Sequence, residues 1–206
     1  MAKESNLKNM LLTLSFVTLM ASALLGGVYA LTKTPIDEAM AAKINSAISS
    51  VAPEFDNNPS SDYFFEEYAG KEYKVSPAVA AGDTVGYAIE SYASGFGGRI
   101  SLMVGFDMSG VITGTSVLSH AETPGLGDKI DPRKSDFSVQ FEGKNPEDFK
   151  LLVKSDGGDV DAITASTITS RAFCDAVTTA WEVFRVCTEG QEQEKEQEQI
   201  KEVSNE

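Results

Sequence analysis

The chain has 206 residues, a formal net charge of −14 and a sequence pI near 4.5. That length suits one globular domain plus an anchor. Such acidity speaks against nucleic acid as a partner, because phosphate contacts need clustered Lys and Arg.

Residues 1–9 carry Lys3 and Lys8 and precede an uncharged, mostly apolar run over residues 10–31. Twenty-two residues at about 1.5 Å each reach roughly 33 Å, enough to cross a hydrocarbon core. Val28-Tyr29-Ala30 also ends in a small-residue pattern of the kind signal peptidases cleave. The length of the run favours a retained anchor. Lys3 and Lys8 before the span and Lys33 after it give a weak positive-inside signal, placing residues 1–9 in the cytoplasm.

Thr34-Pro35 reads as an N-cap and first helical position. Ile36, Met40, Ile44 and Ile48 then recur at every fourth place, predicting a second helix to about residue 51. A polar loop follows, and the aromatic cluster at 63–68 is compatible with a helix turn or a strand. Residues 32–70 are thus expected to be a linker helix and loop.

Four segments rich in β-branched and aromatic residues, 73–76, 84–92, 99–106 and 111–118, predict an antiparallel sheet. Asp107-Met108-Ser109-Gly110 predicts a hairpin turn. Gly95-Phe96-Gly97-Gly98 is not followed by a helix, so it reads as a hairpin loop and not as a dinucleotide fingerprint. Residues 151–154 and 160–163 are expected to be short strands around an Asp-Gly turn.

Four hydroxyl residues, Thr164, Ser166, Thr167 and Thr169, crowd into six positions after Asp161, and Ser170 follows at once. Behind it Phe173, Ala176, Val177, Ala180, Trp181 and Phe184 fall three and four apart, the spacing of a helix. A helix start offers unpaired N–H groups and a positive dipole end, which suit a phosphate. The same residues also serve as simple N-caps. Cys174 and Cys187 on this helix would be about 20 Å apart, too far for a disulfide. The Gln-, Glu- and Lys-rich residues 189–206 read as an acidic disordered tail.

Two stretches carry a family resemblance. Asp161–Ser170 resembles the flavinylation motif, Asp-x-x-(Ser/Thr)-Gly-Ala-Thr, of FMN-binding domains. Such domains occur in the G subunit of Rnf electron-transport complexes and in the C subunit of the sodium-translocating NADH:quinone reductase. Glu122-Thr123-Pro124-Gly125-Leu126-Gly127, with His120 two places upstream, is similar to the second signature of the same family. The resemblance covers roughly residues 85–185. It implies FMN joined by a phosphoester to Thr167, with Thr164, Ser166 and Thr169 around the phosphate and Glu122, Thr123 and Leu126 beside the flavin ring. Ala165 stands where Gly is usual and Ser166 where Ala is usual, which leaves Thr164 and Thr169 as rival acceptors.

The implied fold is α+β: one transmembrane helix, then an FMN-binding domain over 71–188 with an antiparallel sheet packed against helices. The implied role is an electron carrier in a bacterial inner-membrane complex that couples ferredoxin–NAD electron transfer to ion transport. Its partners would be the other membrane and peripheral subunits and, during maturation, a flavin transferase using FAD and a metal. The domain would lie on the periplasmic side. The sequence holds no Ser-His-Asp arrangement, no paired carboxylates of convincing spacing and no metal cluster, so the isolated subunit is not expected to catalyse a reaction. Two other readings stand beside this one: an FMN subunit of a different extracytoplasmic reductase, and a membrane-anchored binding domain without flavin.

Overall fold

A computed structural model describes residues 6–204, with side chains described as far as residue 190. The chain divides into two units between Lys43 and Ile44. The first is one helical stretch; the second holds the sheet.

Helix α1 is Leu7–Val51, and its N-terminal part is long and apolar enough to cross a membrane, with its apolar side chains exposed. Thr13, Thr18 and Thr32 hide their hydroxyls by donating to the carbonyls of Asn9, Leu14 and Val28 at 2.8, 2.9 and 2.9 Å. The expected second helix start at Thr34-Pro35 does not exist, because α1 runs straight through Pro35. Proline forfeits one backbone bond, yet strong helix formers lie on both sides and nothing but the proline marks a stop.

The second unit begins with the last two turns of α1. Ala47, Ile48 and Val51 are buried against Ala88, Met103 and Leu118 of the sheet. The backbone there lies close to Gly105 and Gly114: a Cβ at Gly105 would strike the Val51 carbonyl, one at Gly114 would crowd Val51, and the Thr113 hydroxyl donates to the Val51 carbonyl.

The sheet is a five-stranded meander: β1 (Phe64–Tyr68), β2 (Lys71–Ala80), β3 (Asp83–Ser94), β4 (Arg99–Asp107) and β5 (Ile112–Ser119), in spatial order β1-β2-β3-β4-β5. All pairs are antiparallel. The four expected strands are β2 to β5: β2 and β3 run several residues longer than expected, β4 one residue longer, and β5 is shifted by one. The aromatic cluster at 63–68 supplies β1, so the structured unit reaches back to Ile44 and does not begin at 71. Ala69-Gly70 and Ala81-Gly82 close the first two hairpins with positive φ at both residues, the backbone that matches strand twist. The Asp107 carboxylate holds the last hairpin by accepting from the Ser109 and Val111 amides at 2.9 and 3.0 Å.

Helix α2 (Thr167–Ser204) covers the other face. Its Phe173, Val177, Ala180 and Phe184 are buried with Tyr87, Ile89, Leu102, Val104 and Phe106. Every residue of β4 from Ile100 to Phe106 is buried, because helices cover the strand on both sides: Leu102 and Val104 meet α2, and Met103 meets α1. The long segment before α2 has one parallel bridge, Val153 with Val160, in place of the two expected strands. Where a disordered tail is expected from residue 189, the backbone of α2 continues to Ser204. Gln, Glu and Lys are good helix formers, and Gly190 alone does not stop them. Cys174 and Cys187 are buried and unbridged, and burial pushes both thiols up to about 12. They pack as small apolar residues.

Candidate functional site

The start of α2 is built by its own side chains. The Ser166 carbonyl accepts the Ser170 N–H at 3.0 Å, the first bond of the helix. The Ser170 hydroxyl also donates to that carbonyl at 3.0 Å, while accepting the Ile163 N–H at 2.9 Å. The Ser166 N–H returns to the Ile163 carbonyl at 3.0 Å. Residues 163–166 thus form a tight turn, with Ala165 in the left-handed region at φ 62°. The amides of Thr167, Ile168 and Thr169 make no hydrogen bond among the described residues. They form the positive end of the helix, an arrangement that suits an anion.

Ala165 bears the strain of that turn. A left-handed residue with a Cβ costs roughly 1–2 kcal/mol, partly offset by the higher unfolded-state entropy of Gly. Ala165→Gly is therefore expected to raise stability by up to about 1 kcal/mol. Urea unfolding of the two proteins checks this, and an unchanged or lower midpoint would contradict it.

A cavity of about 420 Å³ opens in front of these amides. That volume lies in the range of small-molecule sites, about 300–1,000 Å³. Three segments wall it: Phe96 from the β3–β4 turn, Glu122 to Gly127 from the loop after β5, and residues 165–169. Thr167 is half-buried on its wall, and Ser166 is buried beside it. Phe96, Leu126 and Ile168 present apolar surface, 70%, 42% and 52% exposed.

Glu122 and Thr169 are both buried and bonded to each other, Thr169 Oγ1 donating to Glu122 Oε2 at 2.5 Å. The other carboxylate oxygen accepts the Gly97 N–H at 2.9 Å. The Glu122 N–H donates to His120 Nδ1 at 3.2 Å, so the lone His acts as a loop brace. Beyond Gly127 the chain is pinned by two short-range ion pairs. Lys134 bonds the buried Asp128 at 2.5 Å, and Arg133 forks onto Asp131, holding its carboxyl down at about 2. The Lys134 ammonium likewise holds Asp128 below the usual carboxylate range.

The sequence-expected residues Glu122, Thr123, Leu126, Ser166, Thr167 and Thr169 all line this one cavity. Thr164 does not. It is exposed and lines a separate hollow of about 440 Å³ with Lys129, Gln140 and Asp161. The left-handed turn at Ala165 separates it from Thr167. Asp161 pairs with Lys154 at 2.7 Å, which offsets its charge near an anion site. Phe96 is the cavity residue that the sequence does not announce, since its Gly-rich surroundings read only as a turn. Among the described residues no group of three or more His, Cys, Asp or Glu side chains is placed to hold a metal.

The sequence pattern of the FMN-binding domain family matches residues 95–182, which include every wall of this cavity. The G subunit of the ion-translocating oxidoreductase complex of Shewanella piezotolerans is 35% identical over 186 residues, covering 85% of this chain and 87% of that one. The corresponding G subunit of Shewanella baltica is 50% identical over 107 residues, a match spanning half the length of each chain. The crystal structure of Shewanella oneidensis NqrC is similar with a TM-score of 0.46 at 21% identity, covering 58% of this chain and 62% of that chain. With an apolar N-terminal helix, a five-stranded antiparallel sheet and the 35% identity over most of its length, the chain belongs to the family of G subunits of ion-translocating oxidoreductase complexes.

Proposed function

We propose that the protein is an electron-carrying flavoprotein subunit of an ion-translocating complex, with FMN joined to Thr167 by a phosphoester. The observation that carries this reading is the half-buried Thr167 on a cavity wall, beside three unengaged helix-start amides. These residues fit the group. The amides of Thr167, Ile168 and Thr169, with the Ser166 hydroxyl, would hold the phosphate oxygens. Phe96, Leu126 and Ile168 would shield the ring, and Thr123 would offer a hydroxyl at its edge. When bound, FMN supplies one-electron chemistry, and the chain's own part is to hold it and exclude water.

Attachment is assigned to a flavin transferase acting on FAD. The bond from Thr167 Oγ to phosphorus forms, the pyrophosphate P–O bond breaks, AMP leaves and the hydroxyl proton is released. In this reading α1 anchors the subunit once in the bacterial inner membrane, with the flavin domain on the periplasmic side. The other membrane and peripheral subunits supply and accept its electrons, between ferredoxin and NAD. Protein made together with a flavin transferase tests the proposal. It should keep flavin fluorescence through denaturing electrophoresis, with its mass raised by FMN less one water. Unmodified mass under those conditions would overturn it.

A further inference from the structure

Glu122 is the one carboxylate among the residues that line this cavity, and both its oxygens are already engaged by the protein. It is 5% exposed, and its oxygens accept from Gly97 N–H at 2.9 Å and Thr169 Oγ1 at 2.5 Å. Glu122 sits on the loop after β5, and its two partners belong to the β3–β4 turn and the first turn of α2. The glycines around it leave room for this contact. A Cβ at Gly95 or Gly127 would strike the carboxylate itself, and one at Gly97 would strike the Ala121 carbonyl. Hydrogen bonds to a buried carboxylate are stronger than neutral ones, and removing one partner leaves a costly unpaired charge.

Thr169 lies two residues after Thr167, so the two side chains leave the helix in different directions. Holding Thr169 inward therefore fixes where Thr167 points. We propose that Glu122 is a positioning residue for cofactor attachment. It clamps the first turn of α2 to the two loops, presents Thr167 and the three amides to the cavity, and makes no bond to the cofactor. This rests on the reading of Thr167 as the acceptor.

The test is a time course of FMN attachment to the full chain in detergent, with purified flavin transferase and FAD, followed by intact mass. Glu122→Ala and Thr169→Val each remove the clamp, and should slow attachment about tenfold to a hundredfold, the equivalent of one lost bond to a charged group. Glu122→Gln and Thr169→Ser keep a bonded pair and should restore most of the rate. The double variant should be little slower than either single one, because both break the same contact. Thr169→Val is nearly isosteric, so it reports on the clamp even where Glu122→Ala unfolds. Native rates in both clamp-breaking variants would overturn the proposal, as would Glu122→Gln being as slow as Glu122→Ala. Absence of any adduct on the native chain would overturn the Thr167 reading, and this proposal with it.

Discussion

Thr167→Ala is expected to abolish the FMN adduct, leaving colourless protein of unmodified mass after co-production with a flavin transferase. The effect should be all or none. Thr167 is half-buried at the cavity wall, whereas its neighbours are differently engaged: Thr169 bonds Glu122, and Thr164 faces another hollow. Thr164→Ala should therefore leave the adduct intact. Thr167→Ser should keep some modification, since the hydroxyl remains while the methyl that restricts its rotamer is lost. Fragment mass spectrometry locating FMN on Thr164 or Thr169 would sink the assignment.

The second large effect concerns stability. A chain shortened to begin at residue 52 should be less stable than one beginning at residue 34 by about 3–6 kcal/mol, the worth of burying one Ile and one Val. Ile48 and Val51 are each 1% exposed against Ala88, Met103 and Leu118, and the Val51 carbonyl also accepts the Thr113 hydroxyl. Domains of this kind have only about 5–15 kcal/mol in total. Urea unfolding of the two fragments decides the matter, and equal midpoints would show that the last turns of α1 are dispensable.

Much of this architecture is legible from residue patterns. Strands β2 to β5 announce themselves through β-branched and aromatic runs. The buried stripe of α2, from Phe173 to Phe184, follows from helical spacing. Six of the seven expected cofactor residues line one cavity, although they come from stretches some forty residues apart. What stays hidden depends on tertiary context. The β1 segment, Phe-Phe-Glu-Glu-Tyr, lacks the two-residue alternation that marks a half-buried strand. The fate of Thr164 is set by a single left-handed residue, and nothing in Ala165 advertises a positive φ. The family resemblance puts Glu122 beside the flavin ring. Its commitment to Gly97 and Thr169 depends on a long-range approach that no local spacing encodes.

The meander order of the sheet also bears on how the protein is made. Each strand pairs with its neighbour in sequence, so hairpins can close one after another as the chain folds, with little loop entropy to overcome. The apolar face bearing Ile89, Leu102, Val104 and Phe106 shares its core with Phe173, Val177 and Phe184 of α2, which comes well after β5 in the chain. A sheet formed before α2 docks would leave part of that face bare, and exposed apolar surface of this kind favours aggregation. Since the cavity needs Thr167 and Thr169 as well as the earlier loops, it is complete only when the start of α2 is in place.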